Sequence, residues 1–188
     1  MHRIIKIGGS LLMRRDLPAT MTAWLTKQTP AEQTSVMIGG GETIDAMRRL
    51  DAIHGLRTAD MHWRCIRLLR ATFEIARELF PEWRTIETRA AFDAYQGSMA
   101  NDGIYLIAAD AFFLPAAEPR LPETWATTSD AIAAHLCQRL AADELVLLKS
   151  CAIPENAPLA TLLTAQIIDE AMLPLASEIP RLRIEQLG

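Results

Sequence analysis

The chain has 188 residues, half of them apolar, and its 19 basic and 23 acidic residues give a formal net charge of −4. This length suits a single domain with a sizeable core, and the apolar content is too high for an intrinsically disordered chain. The acidic balance argues against general nucleic-acid binding, which requires a clustered excess of basic residues.

Neither secretion nor membrane insertion is expected. Lys6 and Arg14 interrupt the apolar residues near the N-terminus, so the long apolar region of a signal peptide is missing. The longest apolar stretch, 103–117, contains Asp110 and Pro115, which argues against a membrane-spanning helix. The three cysteines are widely spaced and form no CxxC pair, so we expect reduced thiols in a cytoplasmic protein.

In chain order, the pattern of apolar residues predicts an alternation of strands and helices. The first half contains a strand over 3–7, a helix from about Ser10, a helix over 18–27, a strand over 35–38, a helix over 43–50 and a long helix over 59–80. The second half contains a strand over 85–87, a helix over 90–95, a strand over 103–108, a loop over 113–123, a helix over 128–140, a strand over 145–148, a loop or turn over 158–163, a helix over 167–173 and an edge strand over 182–184. The main strands are continuous apolar runs, which predicts an α/β fold with a mostly parallel sheet covered on both faces.

Two of the predicted strands end in glycine turns, within IKIGGS and VMIGGG. Ligands of parallel α/β sheets bind outside the carboxyl ends of the strands, where glycines let backbone N–H groups approach an anion. Neither turn matches a P-loop or a GxGxxG motif. Each turn alone fits a purely structural role as well as a phosphate cradle.

The chain has only three lysines, and two of them, Lys6 and Lys149, stand in the apolar runs IIKI and LVLLK. If their strands are parallel, both amines reach the same edge of the sheet, where they can neutralise a transferring phosphoryl group. Asp130, at the start of a predicted helix, is placed to hold both amines. The alternative is that each lysine extends from its strand end into solvent. Because there are two such lysines beside two glycine turns, we favour a phosphoryl-binding site over two lysines that extend into solvent.

Four blocks occur in this order along residues 3–150: IIKIGGSLL, IGGGETID, TSDAIAAHL and LVLLKS. Together they resemble the amino acid kinase family, which includes the acetylglutamate, aspartate, carbamate and uridylate kinases. The resemblance implies a three-layer αβα sandwich with a mainly parallel central sheet, formed by one domain over 1–188 with a short C-terminal nucleotide-binding half. It implies ATP and Mg²⁺ as cofactors and a small-molecule substrate.

The resemblance also implies roles for individual residues. Lys6 would touch the transferred phosphoryl group, Lys149 would neutralise the leaving phosphate, and Asp130 would organise both lysines. The phosphates or nucleotide would be bound by Gly8, Gly9, Ser10 and Ser150. The acceptor would be bound by Gly39, Gly40, Gly41, His62, Thr127 and Ser129. We assign no metal ligand, and we expect Ser10 to cap the helix after the first turn.

Two further stretches, ADMHWRCIRLL and LPETWATTSDAIAAHL, are similar to one branch of the family. That branch contains the aminomethyl-furanmethanol-phosphate kinase of methanofuran biosynthesis and bacterial relatives found beside one-carbon genes. The His62-Trp63 pair belongs to this resemblance and suggests a substrate contact. The alternative for His62 is a hydrogen-bonded histidine of the core. Trp125 is expected either to line the acceptor pocket or to have a purely structural packing role.

The predicted function is therefore an ATP-dependent phosphotransferase acting on a small phosphorylated or carboxylated metabolite. The narrower resemblance suggests a place in methanofuran- or tetrahydromethanopterin-linked one-carbon cofactor biosynthesis. One feature departs from the family, because LLKSCAIPENAPLATL lacks the Asp-Gly and the aromatic residue that usually follow the lysine strand. This departure leaves open a non-catalytic binding or regulatory protein on the same fold. An amino-acid or nucleoside-monophosphate kinase is the third alternative. We expect a homo-oligomer without nucleic-acid or membrane partners.

Overall fold

The computed structural model describes residues 1–97, 102–115, 121–155 and 157–188. Within these residues the chain forms one six-stranded sheet, in which every neighbouring pair of strands is parallel. The strands are β1 (His2–Ile7), β2 (Gln33–Ile38), β3 (Arg84–Ile86), β4 (Gly103–Ile107), β5 (Glu144–Lys149) and β6 (Leu182–Gln186). Their order in the sheet is β3-β4-β2-β1-β5-β6, so β1 lies in the centre.

Eight α-helices connect the described strands. They are α1 (Leu17–Thr26), α2 (Glu42–His54), α3 (Thr58–Leu79), α4 (Arg89–Gln96), α5 (Ala109–Phe112), α6 (Ser129–Arg139), α7 (Leu159–Thr164) and α8 (Leu173–Ala176). Short 3₁₀ helices span Gly9–Met13 and Glu170–Met172. No helix in the described part of the chain is long and apolar enough to cross a membrane.

The central strands are buried on both faces, which requires a layer of helices on each side of the sheet. Every residue of β1 from Arg3 to Ile7 is buried, as is every residue of β2 from Thr34 to Ile38. Alternating burial would have left one face in water, whereas this pattern produces a three-layer αβα sandwich. The fold class predicted from the sequence is confirmed.

The structure corrects the prediction in the region after β5. Residues 158–163, predicted as a loop or turn, are the cap residue Pro158 and most of α7, and the Pro158 carbonyl accepts the first hydrogen bonds of that helix. Residues 167–173, predicted as one helix, are instead a bend, the extended residue Asp169, a 3₁₀ turn and the first residue of α8. The reason is Gln166, which takes a positive φ of 56° and ends α7 with Ile167 N bonded to Leu162 O. Helix α5 was not predicted, and part of the loop predicted over 113–123 falls outside the described residues.

A chain of polar side chains links partly buried His2 on β1 through buried Ser35 on β2 to Tyr95 on α4. The distance from His2 Nε2 to Ser35 Oγ is 2.9 Å, and Ser35 Oγ lies 2.7 Å from the Tyr95 hydroxyl. Burial lowers the pKa of His2 to about 4, although the nearby Asp143 carboxylate opposes this effect. His2 is therefore neutral in the folded protein at neutral pH.

This pKa predicts a loss of stability in mild acid. The folded pKa lies below the ordinary histidine value of 6.5, so the contribution of neutral His2 is fully present above that value and is lost as the pH falls towards 4. We expect His2→Gln to reduce the fall in the free energy of unfolding between pH 7 and pH 5, measured by urea titration. His54→Gln, at an exposed position, is the matched control. An unchanged pH slope in His2→Gln would contradict the assignment.

Candidate active site

Both glycine turns and Lys149 lie at the carboxyl edge of the sheet, as the predicted parallel strands require. Gly8 N donates to Leu148 O at 2.8 Å, and Gly39 N donates to Ile7 O at 2.9 Å. The turns therefore extend the hydrogen-bond ladder of β1, β2 and β5 by one residue. Because β1 lies between β2 and β5, the two glycine turns and the end of the lysine strand are neighbours.

Lys6 and Lys149 meet on a single carboxylate, that of Asp130. Lys6 Nζ lies 2.8 Å from Asp130 Oδ1, and Lys149 Nζ donates to Asp130 Oδ2 at 2.5 Å. Lys6 is 5% exposed and Asp130 is 3% exposed. The amines therefore do not extend into solvent, and the sequence alternative of two surface lysines does not describe them. We call these three residues the lysine–aspartate cluster.

The two lysines favour the charged form of Asp130. Burial by itself would raise the pKa of Asp130, but the adjacent Lys6 and Lys149 ammonium groups lower it below the usual range. Burial and the like charge of Lys6 lower the pKa of Lys149, against the opposing attraction of Asp130. An ionised carboxylate bound to two ammonium groups is a poor proton acceptor. Asp130 is therefore suited to hold the two lysines and poorly suited to accept a proton.

Helix α6 places Asp130 in its first turn. Thr128 is the N-cap residue, and its side chain accepts from Asp130 N at 3.4 Å. The first-turn position explains why TTSD reads as a helix start in the sequence. Ser129, the next residue, has its Oγ close to Gly39, where an added methyl group would lie only 2.8 Å from that oxygen.

Sequence reasoning missed Asp169, which anchors the start of α6 from another part of the chain. Its Oδ2 accepts from Thr128 N at 3.1 Å and Ala131 N at 3.2 Å, and also from Thr128 Oγ1. Its Oδ1 accepts from Met172 N at 2.9 Å, which caps the 3₁₀ turn Glu170–Met172. Sequence analysis placed Asp169 in the middle of a helix predicted over 167–173. In the structure it is the cap residue before the 3₁₀ turn Glu170–Met172.

The first glycine turn is packed directly against the second. A methyl group added to Gly9 would lie 2.2 Å from Gly41 N and 2.4 Å from Gly39 O, both backbone atoms. Gly41 also needs the absence of a side chain, because its φ is 54° and its added methyl group would lie 2.5 Å from Gly9 C. These contacts show that the two turns form one closely packed unit at the sheet edge.

Ser10 and Ser150 join the first glycine turn to the end of β5. Their hydroxyl oxygens are 2.8 Å apart. The expected helix cap at Ser10 is wrong, because the following 3₁₀ helix begins at Gly9 and its cap residue is Gly8, which makes no side-chain bond. Ser10 lies inside that short helix, and its hydroxyl contacts Ser150.

A cavity of about 760 Å³ opens over the lysine–aspartate cluster. Its lining includes these site residues predicted from the sequence: Lys6, Gly8, Gly9, Ser10, Gly40, Gly41, His62, Thr127, Ser129, Asp130, Lys149 and Ser150. The Thr127 hydroxyl donates to Pro122 O at 2.6 Å, so Thr127 also shapes the loop before α6. Gly39, predicted as a substrate residue, packs against Lys6 and Ser129. The structure thus brings the predicted residues together around one space.

His62 and Trp125 line the part of the cavity formed by α3 and the loop before α6. His62 is 5% exposed, and burial lowers its pKa, so the ring is neutral at neutral pH. Its Nε2 has no hydrogen-bond partner among the described residues. Trp125 Nε1 donates to Asp51 Oδ2 at 2.6 Å, which fixes the indole ring. A buried imidazole nitrogen without a partner is unusual for a purely structural histidine.

The described residues contain no group of three or more histidine, cysteine, aspartate or glutamate side chains that could hold a metal ion. Mg²⁺ keeps several of its waters and commonly binds proteins through substrate phosphates and one or two carboxylates. A Mg²⁺ ion bound in this way, through substrate phosphates, would not require such a group of side chains.

No protein-family model and no curated protein matches the sequence. Solved structures do match the fold. UMP kinase from Bacillus anthracis has a TM-score of 0.69 at 13% identity, over 99% of this chain and 87% of that chain. Uridylate kinase from Archaeoglobus fulgidus has a TM-score of 0.61 at 15% identity, over 99% of this chain and 91% of that chain. Aspartate kinase from Synechocystis has a TM-score of 0.63 at 13% identity, over 98% of this chain but 38% of that chain. The chain therefore has the fold of uridylate and aspartate kinases, as its resemblance to the amino acid kinase family implied.

Proposed function

We propose that this protein is an ATP-dependent phosphotransferase whose acceptor is a small phosphorylated or carboxylated metabolite. The observation that carries the proposal is the lysine–aspartate cluster beside the packed glycine turns. Two ammonium groups on one carboxylate, one buried and one partly exposed towards the cavity, form a positively charged site into which an anionic group can bind. The kinase fold of the structural neighbours supports the same conclusion.

The chemistry follows from the positions of the charges. Phosphoryl transfer needs positioning and charge stabilisation more than covalent participation by the protein. Lys6 would contact the transferred phosphoryl group, and Lys149 would neutralise the charge on the leaving phosphate. The backbone N–H groups of the first glycine turn would hold the phosphates. Since Asp130 is poorly suited to accept a proton, the acceptor would enter already ionised, as a phosphate or a carboxylate.

The rest of the cavity suggests the character of the acceptor. Ile44, Ile66 and Leu69 provide apolar walls, and neutral His62 offers a ring nitrogen without a partner. An acceptor with an apolar or aromatic body and one polar group facing His62 would suit this surface. From the sequence resemblance we propose, as the finer assignment, a furan phosphate intermediate of one-carbon cofactor biosynthesis.

The direct test incubates the protein with Mg-ATP and single acceptors, and follows ADP formation. The panel contains UMP, aspartate, other phosphate monoesters and carboxylates, and aminomethyl-furanmethanol phosphate. With the correct acceptor, Lys6→Met is expected to lower kcat by about 100-fold or more, by analogy with the loss of one charge-stabilising donor. Lys27→Met, which replaces the exposed third lysine, is the matched control and should retain full activity. No ADP with any acceptor, together with no thermal shift on adding Mg-ATP, would refute the proposal.

A second candidate is a non-catalytic binding protein. The specific observation in its favour is the segment Ser150–Ile153, which follows Lys149 without the Asp-Gly and aromatic residues of the family pattern. This candidate predicts that Mg-ATP or an acceptor raises the melting temperature while no acceptor yields ADP. It also predicts that Lys6→Ala keeps the biological role of the protein.

We also propose that the protein is a homo-oligomer. Apolar side chains of α2 support this, because Leu50 is 45% exposed and Ile53 is 72% exposed. Analytical ultracentrifugation measures the state directly, and a monomer at micromolar concentration would contradict it.

A further inference from the structure

Asp169 connects the cavity wall at residues 167–169 to the first turn of α6. The proposed phosphotransfer site depends on the relative position of these two segments. Asp169 follows Ile167 and Ile168, which line the cavity, and it precedes the 3₁₀ turn Glu170–Met172. Its Oδ2 accepts three hydrogen bonds from the first turn of α6, two from backbone N–H groups and one from the Thr128 hydroxyl. One carboxylate therefore joins the cavity wall to the helix that carries Asp130.

The charge of Asp169 also acts on the cluster. Burial and the like charge of Asp130 raise the pKa of Asp169, while its hydrogen bonds with Thr128 and Ala131 lower it. The Asp169 carboxylate in turn raises the pKa of Lys149, against the larger effects of burial and Lys6. Asp169 thus bonds to the first turn of α6 and also lies within electrostatic reach of Lys149 at the end of β5.

We propose that Asp169 is a positioning residue of the phosphotransfer site, which holds the first turn of α6 so that Asp130 stays between Lys6 and Lys149. The effect of this positioning on phosphotransfer rests on the proposed function. The positioning itself is a property of the protein without ligands. Asp169 itself lines the cavity beside Ile167 and Ile168. Its proposed role is to act through Asp130 and through its field at Lys149.

The three lysines of the chain make this proposal directly measurable. In protein grown with lysine labelled with ¹³C at Cε, the three signals belong to Lys6, Lys27 and Lys149. In Asp169→Asn we expect the Lys6 and Lys149 signals to move and the Lys27 signal to stay. The titration midpoint of Lys149 should move to lower pH, because a carboxylate that favours its charged form has been removed.

Three further variants separate positioning from general destabilisation. Asp143→Asn removes a carboxylate that accepts from His2 N at 2.7 Å at the opposite edge of the sheet, and it should leave the Lys6 and Lys149 signals unchanged. Thr128→Val removes the hydroxyl that bonds to Asp169 and accepts from Asp130 N, but it keeps the Asp169 charge, and we expect a smaller displacement of the same two signals. Thr88→Val removes the comparable cap of α4 and should displace neither.

The result that overturns the proposal is a lower free energy of unfolding in Asp169→Asn with the Lys6 and Lys149 signals and midpoints unchanged, since that describes a purely structural cap. If Asp169→Asn does not fold, unchanged lysine signals in folded Thr128→Val overturn it equally. These measurements need neither ATP nor turnover. Displaced lysine signals in a protein that never forms ADP would thus refute the proposed function while retaining the positioning role.

Discussion

Asp130→Asn is expected to lower the free energy of unfolding by about 3–5 kcal/mol, the usual cost of removing one partner from a buried ion pair. The asparagine side chain can still accept a hydrogen bond, but buried Lys6 and largely buried Lys149 lose the carboxylate that binds both of them. The destabilisation should become smaller as the pH rises, because a lysine that loses its proton removes the uncompensated charge. Urea-induced unfolding at pH 7 and pH 9 measures both effects.

A double-mutant cycle with Lys149→Met identifies the cause. Lys149→Met leaves one lysine paired with Asp130, so it should cost less than Asp130→Asn. In the double variant Asp130→Asn/Lys149→Met only Lys6 remains uncompensated, and the combined cost should be smaller than the sum of the single costs. Additive costs, or an Asp130→Asn variant as stable as the wild type, would show that the observed contacts contribute little to folding.

Gly9→Ala is expected to disrupt both glycine turns and to cost about 3 kcal/mol, at the upper end of ordinary overpacking. The added methyl group would lie within 2.4 Å of two backbone atoms of the second turn, Gly41 N and Gly39 O. Flexible side chains can move away from such a clash, but these atoms belong to a loop held by β1 and β2. We expect loss of stability and, where ADP formation can be measured, loss of turnover.

The matched control is Gly97→Ala, which adds the same atom where there is room. Its methyl group would meet Asp93 O at 3.5 Å, an ordinary contact, and Gly97 has helical backbone angles. This control should keep its free energy of unfolding within about 1 kcal/mol of the wild type. If Gly9→Ala changed the free energy of unfolding as little as Gly97→Ala, that result would contradict the close packing of the two glycine turns.

Much of the fold could be predicted from the sequence, because its signals are local. The mainly apolar runs of β1, β2 and β5 do not alternate with polar residues, which predicts buried parallel strands, since strands covered on both faces have no polar side. The Thr-Ser-Asp start of α6 and the long apolar stripe of α3 are equally local. The region after β5 was predicted least well, because the positive φ of Gln166 ends α7 at a residue that carries no turn signal.

The candidate site also has a part that local sequence signals predicted and a part that they did not. The order of Lys6, Asp130 and Lys149 along the chain, and the two glycine turns, were sufficient to predict one charged site at a single sheet edge, because parallel topology brings strand ends together whatever lies between them. The roles of those residues in phosphotransfer stay predictions.

Only the tertiary structure determined what the polar side chains contact. Asp169 bonds to Thr128 across 41 positions of sequence, and no local pattern specifies such a pair. The unpartnered Nε2 of His62 depends in the same way on neighbours from α3 and from the loop before α6. Hydrophobic periodicity specifies which face of an element is buried, whereas the partner of a buried polar group depends on how distant elements pack. The sequence by itself thus determined the sheet and the edge at which the site lies, and the packing of distant segments decided how its charges are held.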